Sequence, residues 1–96
     1  VQETYGVFCT VLEGCQFLAE ALGLIKQNLI AVEVSLSDVE WQPAEEQFQG
    51  SVKELLLAYE NKDIQLAADV LEYELGESLV SWENVLRSCL EMTANS

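Results

Sequence analysis

Carboxylates are the one plentiful reactive group in this sequence. Asp69, Glu72, Tyr73, Glu74 and Glu77 crowd into nine consecutive residues. On a helix Asp69, Glu72 and Tyr73 stand at i, i+3 and i+4 and share a face. Glu13 and Glu20, seven apart, share another. Carboxylates projecting from facing helices are the donor set of divalent-cation and di-iron bundles, which makes Glu13, Glu20, Asp69 and Glu72 the candidate metal ligands. The common form of such a site adds a histidine three residues after a glutamate, and this chain has no histidine. A solvated acidic face is the plainer expectation. Tyr73 is expected half-buried, its hydroxyl bonded to Glu13 or Glu20 as a contact that sets helix register.

Other chemistries fall away by composition. Without histidine there is no Ser-His-Asp triad, and no Gly-x-Ser-x-Gly turn is present. Gly6, Gly14 and Gly23 sit inside a helical pattern rather than after a strand, so they form no phosphate loop. No calcium-binding loop occurs. A non-enzyme without a cofactor is expected, and a small-molecule ligand is not. Seventeen acids against four bases give a net charge of −13. Four scattered cations build no phosphate-binding patch, and the field repels nucleic acid and anionic membrane surfaces. Three cysteines, Cys9, Cys15 and Cys89, are an odd number among apolar positions. They predict buried free thiols in a reducing cytoplasm.

The elements that must position these groups are helices. Ninety-six residues, half of them apolar and 22% charged, make one domain spanning 1–96. The longest uninterrupted apolar run, Leu55 to Tyr59, is far short of the roughly 18 residues of a membrane span. Phe8, Val11, Cys15, Leu18, Leu22, Ile25, Leu29 and Val32 recur at intervals of three and four, which predicts a helix over about 5–33. Val32 to Ser37 alternates but has no partner segment, so an extended connector is expected. Ser37 and Glu40 fit a capping box. Pro43, followed by Glu45 and Glu46, supports a later start and a second helix over about 43–60, with Phe48, Val52, Leu55 and Tyr59 inward. Asp63 caps a third helix over about 63–92. Its seam is Ile64, Ala68, Leu71, Leu75, Ser78, Trp82, Val85, Cys89 and Met92, with a bend expected at Gly76 and Ser78. Thr93 to Ser96 is expected to fray.

Short connectors imply an all-α, up-down-up three-helix bundle. The outer helices are longer than the middle one, so the apolar seams outrun their cover. The connector bearing Val34, Leu36, Val39 and Trp41 folds over part of the surplus, and self-association or an upstream helix completes the rest. Trp41 and Trp82 are expected in the core. If Trp41 is instead exposed, it joins Leu36 and Tyr73 as a partner-binding position.

Two stretches carry a resemblance. Glu60-Asn61-Lys62-Asp63-Ile64, followed by Leu66 to Leu75 with its Glu72-Tyr73-Glu74 run, resembles a family of small uncharacterised helical proteins from Gram-positive bacteria. Val11 to Leu18 resembles that family's earlier helix, in which a glutamate-glycine pair precedes an aromatic. The resemblance covers about half the chain and implies an all-α fold, with no activity attached. The turn at Glu60 to Asp63 is also similar to bacterial flagellar export chaperones, which wrap a partner's helices. The expected function is a non-catalytic protein-interaction module, self-associating as a homodimer. The alternatives are an export-chaperone-like adaptor that holds an amphipathic helix, and a carboxylate metal protein.

Overall fold

The structure, a computed structural model, describes the backbone of residues 2–94 and the side chains of residues 6–93. It is an all-helical three-rod bundle. Helix α1 covers Gln2–Ala31 and α2 covers Trp41–Asn61. The third rod runs unbroken through α3 (Ile64–Asp69), a π-helical stretch (Val70–Leu75) and α4 (Gly76–Ala94). No strand occurs among the described residues, and the connector after α1 is a series of turns. Residues 95 and 96 of the tail expected to fray lie outside the described residues, and Thr93 is still helical.

Packing gives the direction of each rod. Phe8, near the start of α1, clusters with Leu55 and Ala58 late in α2 and with Ala67 and Val70 early in the third rod. Leu22 and Leu29 cluster instead with Trp41 and Phe48, early in α2, and with Trp82, Val85 and Cys89 of α4. The order is therefore up, down, up. The predicted α1 seam is buried or half-buried from Phe8 to Leu29, but Val32 is 62% exposed. The helix has ended by then, so the 3.6-residue period no longer places that side chain.

Helix ends explain the shifted boundaries. Glu33 and Lys62 adopt left-handed backbone at φ 63° and 55°. Val34 N–H donates to the Leu29 carbonyl and Glu33 N–H to that of Ile30; Asp63 and Lys62 repeat this with Ala58 and Tyr59. Both are Schellman closures, in which orphan carbonyls of the last turn find donors. Glycine usually takes the left-handed position. Here all five glycines lie within helices and none has positive φ. Asp63 caps α3 as predicted, its Oδ1 accepting from Leu66 N–H at 3.0 Å.

The capping box at Ser37 does not form. Ser37 Oγ shares a hydrogen bond with Ser35 Oγ, and Glu40 is itself left-handed without a side-chain cap. Helix α2 begins at Trp41, two residues before the proline start that the sequence favours. Its buried line is Trp41, Ala44, Phe48, Ser51, Leu55 and Ala58, while Val52 and Tyr59 are half-buried.

The third seam is displaced in its first half. Ser78, Trp82, Val85 and Cys89 are buried as predicted, but further upstream Ala67 and Val70 are buried and Ile64 and Ala68 are exposed. The π-helical stretch is the cause. Its wider turn takes in one extra residue, so the inward line slips by one position across it. The predicted bend at Gly76 is thus a wide turn that ends where that glycine begins α4.

Candidate functional site

The four carboxylates predicted as ligands are not gathered. Glu13 and Glu20 are exposed on α1, Asp69 and Glu72 are exposed on the third rod, and no group of three or more potential ligands converges among the described residues. Tyr73 lies in the π-helical stretch and is 60% exposed, not half-buried against Glu13 or Glu20. The ring that does bridge to α1 is Tyr59, whose centroid lies 5.6 Å from that of Phe8 in an edge-to-face pair.

The structure does bring together two acids the sequence had not paired. Glu74 shares a carboxyl–carboxylate hydrogen bond with Glu54 of α2, which raises the Glu74 pKa above its usual range; partial desolvation and repulsion from Glu54 and Glu77 add to this. Two like charges share a proton more readily than both ionise.

Trp41 is 1% exposed, so the condition for a partner contact there is not met. It anchors the connector in the core, where Val39 is also buried and Val34 and Leu36 are half-buried against the same cluster. Its indole N–H donates to Glu45 Oε2 at 3.1 Å, and Lys26 Nζ of α1 reaches the same oxygen at 3.4 Å. Cys15 and Cys89 fill the core, and burial pushes both thiols up; Cys9, one position off the seam, is exposed.

What remains is apolar surface. Helix α2 packs on both other rods, and among the described residues no Cα of α1 lies within 8 Å of a Cα of the third rod, although side chains of the two rods pack together. Between them lies a cleft of about 140 Å³ whose wall, including Val7, Val11, Ile64 and Leu71, is wholly apolar. A larger groove of about 470 Å³ runs between α1 and α2, with Leu22, Phe48 and Val52 inside and Gln16, Gln49 and Lys53 at its lips. Phe17 and Leu24 point outward from α1, 74% and 63% exposed, and Leu79 and Leu90 are exposed on α4.

The accessible surface totals 6674 Å², against about 5,500 Å² for a compact monomer of this mass. The radius of gyration is 15.3 Å, against about 12.5 Å for a compact domain of this length. The stretch Gly6–Ala31 of α1 is also long and apolar enough to cross a membrane by length and composition. Counting uninterrupted runs missed this, because Glu13, Glu20 and Lys26 are spread thinly along it. A mostly buried core helix and an N-terminal signal sequence pass the same measure; here the seam joins the core, but only 17% of the apolar window is buried.

Fold and surface together define a small all-helical bundle with an incompletely covered apolar face. The chain belongs to the family of the domain of unknown function DUF8042, whose model matches residues 1–85. No curated protein and no solved structure matches it.

Proposed function

We propose that this protein is a non-catalytic helical interaction module whose first partner is another copy of itself. The observation that carries this reading is the wholly apolar cleft between α1 and the third rod, left open beside the packing of Phe8 on Ala67 and Val70. Monomeric proteins rarely leave contiguous apolar surface open to water, and such patches mark association sites. The surplus of about 1,200 Å² of accessible surface is comparable in scale to the area hidden in a standard interface. The lack of histidine supports a role without acid–base catalysis, and the free thiols support a reducing, cytoplasmic setting.

Sedimentation velocity over a concentration series tests the reading. The expected result is a mass that rises above 10.7 kDa with concentration. Association should strengthen with added salt, because copies carrying −13 each repel and salt screens that repulsion. A monomer at several hundred micromolar would end the proposal.

The α1–α2 groove favours a second reading, an adaptor that holds an amphipathic helix of a different protein. Capture of such a helix by a chain that stays monomeric would select it.

A further inference from the structure

The groove between α1 and α2 has one lip that stands apart electrostatically. Lys53 has no ion-pair partner among the described residues, although the chain carries seventeen acids. Its helical neighbours at three and four residues are Gln49, Gly50, Leu56 and Leu57, none of them a carboxylate. The lysine therefore stands free at the mouth of an apolar groove, while Lys26 and Arg87 are engaged with Glu45 and Glu83.

The opposite lip is unusually low. Ala19 and Gly23, one turn apart on α1, line it, and a Cβ added at Gly23 would meet nothing within 4 Å. A glycine inside a helix costs about 1 kcal/mol relative to alanine. Packing within this chain does not require it there. A stripe of small residues lets a second helix approach backbone to backbone, and the groove runs from Leu12 to Gly23, about 16 Å along α1.

The same molecule carries a helix face of matching chemistry. On the outside of α1, Phe17 and Leu24 are the two most exposed large apolar side chains among the described residues of that helix. Glu20 lies between them, three residues after Phe17 and four before Leu24, hence on the same side. It too has no ion-pair partner among the described residues. This apolar–acid–apolar face spans about 10 Å, within the length of the groove.

We infer that the groove receives the outer face of α1 from a second copy, with Phe17 and Leu24 on its apolar floor and Glu20 paired to Lys53. This rests on the self-association reading above and adds to it a contact at the α1–α2 groove, apart from the cleft between α1 and the third rod. On α1 the groove wall (Ala19, Gly23) and the outer face (Phe17, Leu24) are roughly 130° apart. Each copy can therefore give its outer face and receive another at once. Such a contact is heterologous, and it grows head to tail instead of closing into a two-fold dimer.

Charge exchange tests the pairing, read by sedimentation velocity and light scattering on the full chain. The wild type should pass beyond two copies as concentration rises. Lys53→Glu and Glu20→Lys should each weaken association by about tenfold or more, because each sets like charges face to face. The double variant, and an equimolar mixture of the two single variants, should regain it. Gly23→Leu, which fills the groove at a position with open space, should block association while thermal unfolding shows an intact fold.

Single variants that associate like the wild type would overturn the pairing, as would a double variant that fails to recover. Either result leaves self-association standing by another surface. A wild type that stops at two copies would overturn the head-to-tail mode. A wild type that never associates would remove both proposals.

Discussion

The indole rings of Trp41 and Trp82 meet edge to face, with centroids 4.7 Å apart and planes at 74°. This contact ties the start of α2 to the middle of α4, and through Glu45 it reaches Lys26 of α1. All three rods therefore converge on one residue of the connector's end. Trp41→Ala should cost about 3–5 kcal/mol, as large aromatic truncations in cores do. A denaturant titration measures it. Trp41→Phe keeps most of the packing and loses only the hydrogen bond to Glu45, so its cost should be much smaller.

Ser78 is the one polar position in the lower half of the third seam. It is fully buried, and its hydroxyl has no hydrogen-bond partner among the described residues. An unsatisfied buried hydroxyl is destabilising, and alanine keeps the Cβ while removing it. Ser78→Ala should stabilise the fold by about 1 kcal/mol, which corresponds to a rise of about 4–8 °C in Tm for a domain of this size. Calorimetry showing a fall would mean that the hydroxyl is satisfied.

Gly50 lies inside α2, and a Cβ there would meet nothing within 4 Å. Gly50→Ala should raise stability by about 1 kcal/mol, chiefly by restricting the unfolded chain. It lies outside the groove lining, so association should be unchanged when the same variant is sedimented.

Glu74 predicts a dependence on pH. Its folded-state pKa is raised by the hydrogen bond to Glu54, then by desolvation and the charges of Glu54 and Glu77, above an ordinary value of 4.5. The folded chain thus holds this proton more tightly than the unfolded chain. Below 4.5 both states are protonated and the folded arrangement is at its most favourable. As pH rises from 4.5 through the raised value, the unfolded state loses its proton first and stability falls. Glu74→Gln should remove that fall and unfold at higher denaturant than the wild type at neutral pH. The two should converge below the ordinary value.

Much of the architecture was legible from spacing alone. The α1 seam from Phe8 to Leu29 obeys one uninterrupted 3.6-residue period, and the structure buries or half-buries all of it. Asp63 announced its cap by residue type. The misplaced details share a cause. Helix ends at Glu33 and Lys62 use left-handed non-glycine residues, which composition does not reveal. In the third rod, Ile64 and Ala68 form as good an apolar line as Ala67 and Val70, so sequence periodicity could not choose between them. Packing against Phe8 and Leu55 chose, and the π-helical turn reconciled that choice with the line through Trp82.

Residue order alone determined that this chain is helical, acidic and without a histidine base, because period and composition are local properties. Which carboxylates face one another, whether Tyr73 and Trp41 meet solvent, and where apolar surface stays open were decided only in three dimensions. Those properties depend on the rotation and separation of whole rods. A single extra residue in one turn is enough to change them.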